Sequence, residues 1–493
     1  MKVLLLSAIA AVGCYGQAPT AVSPAGGPTI IAANSPVPAP ASDPESPSAK
    51  PSPPPVVAEA ASPLQLKIGE VSIIPIGFMD ATAVWRDKNA ASGIGTNFAS
   101  IPFDNVAAGH LSELRFSPQN SRLGLRADVN VHGAHIIGYN EFDFLGTSGG
   151  NNVGVTNGAF APRLRLYWVD VRKGKWEVLG GQSWSMMTPN RYQISPLPGD
   201  VFFSQTMDVN YLVGLTWTRQ PGFRLVYHPS ERVTFGVALE NPNQYIGGSA
   251  GAPTITLPSA LSGMGGSQFD NSTNVLNTPN LTPDFIAKLA FDLTRRVHFE
   301  LAGIERNFKD YNVNGNQTFT KAGGGGAVNV NVEVITGIRV ISNNFVSDGG
   351  GRYLFGTVPD VILRADGSIS PIHANSTTDG IEATFGKTLL FVYYGEIWAG
   401  RNTALDANGT SLLGYGFKGS ANNQNRSMEE FTLGINRTLW KDAKWGGLSY
   451  IMQYEHAMRE PWYVASGQPA SAHDNTVYID LRYTLPGAPP PVR

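Results

Sequence analysis

Residues 219–242 read RQPGFRLVYHPSERVTFGVALENP, and their side chains sort by parity. Phe223, Leu225 and Tyr227 alternate with Arg224, Val226 and His228; beyond Pro229-Ser230-Glu231, Val233, Phe235, Val237 and Leu239 alternate with Arg232, Thr234, Gly236, Ala238 and Glu240. A period of two on either side of a short turn predicts a β-hairpin. The second strand is apolar without a gap on one side. Its other side carries arginine, threonine and glutamate, which a dry core accepts only with partners. One face suits hydrocarbon and the other water, as in the wall of a transmembrane barrel.

The unit recurs. Leu123, Leu125, Ala127, Val129 and Val131 oppose Arg122, Gly124, Arg126, Asp128 and Asn130, and Leu164, Leu166 and Trp168 are read opposite Arg163, Arg165 and Tyr167. Phe285, Ala287, Leu289, Phe291 and Leu293 share a face. Val297, Phe299 and Leu301 alternate with His298 and Glu300, and Val328, Val330, Val332 and Val334 with Asn329, Asn331 and Glu333. Near the end, Val477, Ile479, Leu481, Tyr483 and Leu485 oppose Tyr478, Asp480, Arg482 and Thr484. Further strands are expected at 134–144, 381–385, 389–399, 431–439 and 448–456. The segment 74–85 is mostly apolar on both faces, and the faces of 176–186 resist assignment.

Long loops at 243–282 and 352–376 alternate with tight turns, the asymmetry of membrane barrels. The expectation is an all-β fold: an antiparallel transmembrane β-barrel of about 16 strands. The proline-bearing stretch 188–210 has two readings, an inward fold that narrows a pore or an ordinary outer loop.

Composition changes the picture at the front of the chain. Met1-Lys2, the apolar run 3–12 and the small residues up to Ala18 have the layout of a secretory signal. Ala11-Val12-Gly13-Cys14 also resembles a lipoprotein box, so lipidation of Cys14 stays open beside cleavage after Ala18. Residues 19–63 are rich in Pro, Ala and Ser and are expected to form a disordered tether that buries no core. The barrel is expected over 64–485, with a Pro-rich tail at 486–493. Cys14 is the chain's single cysteine, so disulfides are excluded. With 15% charged residues, 55 glycines and a net charge of -2, composition suits two-faced strands and argues against nucleic acid as a partner.

Motifs for chemistry are weak. Gly181-Gln182-Ser183-Trp184-Ser185 lacks the last glycine of a nucleophile elbow. Residues 323–326, four glycines without a following Lys-Ser/Thr, are read as a flexible turn, and Asp406-Ala407-Asn408-Gly409 as a turn without a calcium loop's downstream acid. The histidines are scattered, so no metal site and no cofactor is expected; His298 and His456 are placed on a watery interior.

Charge placement is the remaining signal. Arg122, Arg126, Arg163, Arg165, Arg224, Arg306 and Arg482 fall on the polar sides of strands with Asp128, Glu240, Glu300 and Asp480. These are the candidate lining residues of an interior. They form either a network that holds the barrel together or an arginine-rich constriction that favours small anions.

A family resemblance joins these features. Ser121-Arg122-Leu123-Gly124-Leu125, Asn140-Glu141-Phe142-Asp143-Phe144, Gly181-Gln182-Ser183-Trp184, Arg219-Gln220-Pro221, Ala238-Leu239-Glu240-Asn241-Pro242 and Pro283-Asp284-Phe285 resemble, in the same order, the DcaP-like outer-membrane porins. The likeness spans roughly residues 121–308. It implies a homotrimer of 16-stranded barrels in outer-membrane lipid that passes small organic anions such as dicarboxylates. The chain departs from the family pattern where the Pro-rich tether replaces a coiled coil, and from the aromatic end usual in outer-membrane proteins where a Pro-rich tail follows the last strand. The expectation is an outer-membrane porin, a passive channel for small anionic or polar solutes. The alternatives are an outer-membrane barrel enzyme, which needs an aligned Ser/His pair, and a secreted β-rich adhesin.

Overall fold

The computed structural model describes residues 62–487, except 91, 147–153, 156–157, 202–204, 250–251, 253 and 272–277. The expected signal, Cys14, nearly all of the tether and most of the tail lie outside the described residues.

Sixteen long strands form the wall: β1 (Val71–Arg86), β2 (Arg122–Val131), β3 (Ala134–Gly146), β4 (Ala161–Lys173), β5 (Trp176–Trp184), β6 (Arg219–Ser230), β7 (Val233–Glu240) and β8 (Asp284–Thr294), then β9 (Val297–Asn312), β10 (Gln317–Ile335), β11 (Ile338–Asp348), β12 (His373–Phe385), β13 (Thr388–Ala399), β14 (Asn425–Asp442), β15 (Gly446–Pro461) and β16 (Ala472–Thr484). Each pairs antiparallel with its sequence neighbours, and β1 also pairs with β16, from Phe78↔Thr484 to Arg86↔Thr476. The ladder therefore closes, and every strand has two partners, the condition for crossing hydrocarbon without orphaned backbone groups.

The hairpin of β6 and β7 pairs Phe223↔Leu239, Leu225↔Val237 and Tyr227↔Phe235. Their apolar face is exposed to the outside, with Phe223 at 69% and Leu239 at 46%, while Arg224, His228, Thr234 and Glu240 are buried on the inner face. Exposed Leu123, Leu301, Val328, Leu433 and Leu481 continue the outer apolar surface around the barrel.

Three local expectations change. In β4 a register shift between Glu141↔Leu166 and Phe142↔Leu164 inserts one residue. This bulge flips parity, so Leu166 and Trp168 turn inward and Tyr167 outward. The glycines 323–326 are not a turn but the middle of β10. A Cβ on Gly323 would sit 2.8 Å from the Phe308 ring and one on Gly325 2.9 Å from that of Phe345, so glycine leaves room for two inward rings. His456 faces outward, because Gln453, Glu455, Ala457 and Arg459 take the buried side of β15; its ring meets Asn475 at 2.9 Å.

Above the wall, two small hairpins, Val361–Leu363 with Ile369–Pro371 and Asn402–Leu405 with Leu412–Tyr415, join loop residues Phe98, Ile101, Ile246 and Phe269 in an apolar roof. The hairpin turn at 406–411 contains Asp406-Ala407-Asn408-Gly409, and the Asp406 and Ser411 backbones bond across it.

The assignment of the outer face to lipid has a direct test. Leu289 is the central residue of β8, five positions from either end, and Leu289→Arg is expected to destabilise the barrel by about 2–4 kcal/mol. Urea titration in lipid vesicles measures this; a cost below about 0.5 kcal/mol would place that face out of the bilayer.

Candidate site in the barrel interior

The loop between β5 and β6, residues 185–218, folds inward. Its backbone amides are bonded by side chains from around the wall. Met186 N–H donates to Glu240 of β7 at 2.8 Å, Asn190 N–H to Glu300 of β9 at 3.1 Å, and Gln205 N–H to the Tyr393 hydroxyl of β13 at 2.9 Å. Met207 N–H donates to Gln453 of β15 at 2.6 Å, Val213 N–H to Glu430 of β14 at 2.8 Å, and Thr216 N–H to Asn343 of β11 at 2.8 Å. Arg191 reaches Glu382 of β12 at 2.8 Å. A segment anchored to strands on all sides lies across the lumen. Of the two readings for this stretch, the structure takes the inward one.

Close approach of backbone to backbone requires glycine here. Gly214 has a φ of +84°, and a Cβ on it would lie 2.7 Å from the Glu396 carbonyl oxygen, a conformation and a space that side chains do not accept. Beneath the loop, Leu197, Tyr211, Leu212, Leu215 and Trp217 pack on inward Ile74, Ile76, Ile137, Trp168 and Leu179. That packing explains why the inward side of 74–85 begins with Ile74 and Ile76, ahead of the polar Asp80 and Thr82.

All eleven lining candidates face the interior, but most are paired there. Arg163 and Arg165 share Asp143, at 2.6 and 2.7 Å, and Arg165 also holds Glu141 at 2.8 Å, with Arg122 3.8 Å from the same Glu141. Arg126 chelates Asp128. Arg482 forks onto Asp80 at 2.7 Å, and Asp480 accepts from Thr82 at 2.7 Å. Arg306 bridges Asp284 and Asp360 at 3.1 and 2.8 Å. Arg224 donates to Ser183 and to the Trp184 carbonyl, while Glu240 holds the loop.

Sequence reasoning placed Glu300 and His298 inside but missed their partners. Lys288 pairs with Glu300 at 2.9 Å with both side chains fully buried; Lys288 also donates to the Thr188 carbonyl, and Asp292 sits 2.8 Å from His298. Lys288 stands between outward Ala287 and Leu289, so parity alone marks it as inward. Tyr211 had no such signal: a loop residue, it accepts from Arg165 at 2.9 Å and stands edge-on to Trp217. Asp208 accepts from Tyr478 and from Thr96 N–H, and burial raises its carboxyl above the ordinary range.

Charge is unevenly spread. Around Tyr211 four guanidiniums, Arg122, Arg163, Arg165 and Arg219, face two carboxylates, Glu141 and Asp143. Toward β14 and β15, Asp208, Glu430 and Glu455 gather with Arg86 nearby. The loop that carries Asp208 and Tyr211 separates these regions.

Two predictions follow from these contacts. Lys288→Met leaves Glu300 buried with its ammonium partner gone and is expected to cost about 3–5 kcal/mol, read from the urea midpoint; a cost under about 1 kcal/mol would contradict the pairing. Within the loop, burial pushes the Asp200 carboxyl up to about 6 against the stabilising donation of Ser195. A raised carboxyl favours the docked loop in its protonated form, so docking weakens as pH rises through 6. Protection factors of amides 190–200, which correct for the base-catalysed intrinsic rate, are therefore expected to be lower at neutral pH than at about pH 4.5 in the native chain, and the same at both in Asp200→Asn. Equal protection factors in the native chain would contradict this.

No protein-family profile matches the sequence, and no curated relative matches it. Among solved structures the chain is similar to the outer membrane channel DcaP of Acinetobacter baumannii, with 17% identity over 85% of this chain and 98% of that one and a TM-score of 0.62. It also matches OmpF of Salmonella typhi, at 10% identity over 85% and 99% of the two chains with a TM-score of 0.47. An anion-selective porin from Comamonas acidovorans matches at 13% over 84% and 100% with a TM-score of 0.46. At such identities a likeness is one of fold, and only the first is close enough to carry weight. The chain is a closed sixteen-stranded transmembrane β-barrel that shares its fold with the DcaP channel.

Proposed function

We propose that the protein is an outer-membrane porin, a passive diffusion channel for small hydrophilic solutes. The observation that carries this reading is the loop 185–218: a strap across a closed barrel, its amides held by polar wall side chains, narrows the lumen. Fold likeness to a channel supports the same reading. Homotrimeric assembly belongs to the proposal through the resemblance in residues 121–308.

The proposal extends to small organic anions. The four guanidiniums near Tyr211 outnumber their carboxylates, and the Arg163 side chain is 39% exposed, so it remains accessible to a solute while paired. Arg219 has its guanidinium over the Trp184 ring at 5.3 Å. Basic side chains in a narrow, partly dehydrated passage lower the entry cost of an anion. Arg126, Arg306 and Arg482, each bonded to a carboxylate, hold the wall and contribute little net field.

Reversal potentials across a salt gradient in planar bilayers test both parts. The expected result is an anion-selective potential that falls toward zero in the double variant Arg163→Gln with Arg219→Gln. A cation-selective potential would overturn the anion preference, and absence of any conductance in the folded protein would overturn the channel.

A further inference from the structure

Tight turns mark the periplasmic rim of a membrane barrel, and two of them here, 386–387 and 443–445, flank an outward arginine. In β14, Arg437 shares parity with exposed Phe431 and Leu433, while Glu430 and Thr432 between them are buried, so its side chain points away from the lumen. Arg437 pairs with Thr388, the first residue of β13, and with Tyr450 of β15. It therefore stands on the outer face where the wall meets the rim.

That level is the edge of the hydrocarbon. Toward mid-wall, Leu390, Val392 and Leu433 are exposed and apolar. Toward the rim, the rings of Trp440 and Tyr483 lie 6.3 Å apart, and Phe385 and Trp445 are exposed. Aromatic girdles of this kind sit at the boundary between acyl chains and headgroups. The Tyr483 hydroxyl donates to the Trp445 carbonyl at 2.9 Å, which ties the 443–445 turn to β16.

A second cation is fixed beside Arg437. The Lys387 carbonyl accepts from Thr438 N–H at 2.9 Å, and the Lys387 ammonium donates to the Leu439 carbonyl at 3.4 Å, so it is held over β14 two residues from Arg437. One N–H of the Arg437 guanidinium donates to the Thr388 hydroxyl. Among the described residues neither cation has a carboxylate partner. Asp442, at the end of β14, instead caps the turn by accepting the Lys444 and Trp445 amides.

Two cations without a counter-charge at headgroup depth match an anion that lipid supplies. A guanidinium takes phosphate oxygens as a fork and an ammonium takes them as a point charge, and basic pockets at membrane surfaces recognise anionic headgroups. A solute in the lumen is separated from Arg437 by the wall itself. Elsewhere on the rim, exposed Lys175, Arg232, Arg295 and Arg296 occupy short turns. The periplasmic mouth is thus basic although the chain's net charge is -2, and such a field draws anionic headgroups toward it.

We infer that Arg437 and Lys387 form a binding site for the phosphate of an anionic phospholipid in the periplasmic leaflet. The inference depends on the barrel standing in a membrane and is independent of what it conducts.

Native mass spectrometry of the full chain in detergent, with phosphatidylglycerol, phosphatidylethanolamine or inorganic phosphate added, tests it. A phosphatidylglycerol adduct is expected, with an apparent affinity about fivefold lower in Arg437→Gln and lower again when Lys387→Gln is added. Arg437→Lys is expected to bind more tightly than Arg437→Gln. Lys418→Gln, which removes the same charge from an outer loop, is expected to bind as the native chain does. Heat-modifiable mobility reports that each barrel is folded. Equal phosphatidylglycerol binding by the native chain and the folded double variant would overturn the site, as would a double variant that loses only its binding to purified peptidoglycan. Equal retention of phosphatidylethanolamine would overturn the anionic headgroup, and displacement of the lipid by an equal concentration of inorganic phosphate would overturn lipid as the source.

Discussion

Closure of the hydrogen-bonded ladder is the constraint on which everything else here depends. A strand in hydrocarbon has no water to bond, so a sheet with an edge is excluded and the first strand must find the last. Residues 78–86 of β1 meet residues 476–484 of β16 along nine paired positions. Once the wall is closed, the parity of each strand has only two destinations, and every later choice of residue is a choice between lipid and interior. The apolar outer surface and the charged inner one are consequences of that single topological fact.

The interior obeys the same accounting by different means. An irregular loop at membrane depth is tolerated only where protein or water satisfies its backbone, and residues 185–218 meet this by bonding their amides to Glu240, Glu300, Glu430, Gln453 and Asn343. Glu300 is thereby bound on two sides, by Lys288 and by the Asn190 amide, while Glu240 and Glu430 take a loop amide on one side and the Tyr353 or Thr432 hydroxyl on the other. Most of the interior charge is used up in this way. What remains to act on a solute is a surplus: guanidiniums near Tyr211 on one side and carboxylates near Asp208 on the other.

Much of the wall was legible in the chain because its signal is local. The alternation in 223–239, 123–131 and 328–334 places side chains on the faces where the structure has them, and the strand number of about 16 agrees with the closed barrel. The failures have specific causes. One inserted residue in β4 exchanged the faces of Leu166 and Tyr167, which parity counting cannot sense. The glycines 323–326 read as a turn because their purpose, room for Phe308 and Phe345, lies on neighbouring strands. The candidate interior residues were legible as inward-facing, since facing is a property of one strand. Their partners were not, because Glu382 meets Arg191 and Tyr211 meets Arg165 only after a loop has crossed the lumen.

The central claim is that a conducting barrel is narrowed by its own inward loop. Single-channel conductance of the purified protein, compared with a variant in which residues 190–210 are replaced by a short Gly-Ser link, tests this most directly. The account predicts small, resolved steps for the native chain and steps several-fold larger for the variant. Identical steps would show that the loop does not set the passage, and no steps from either folded barrel would contradict a channel altogether.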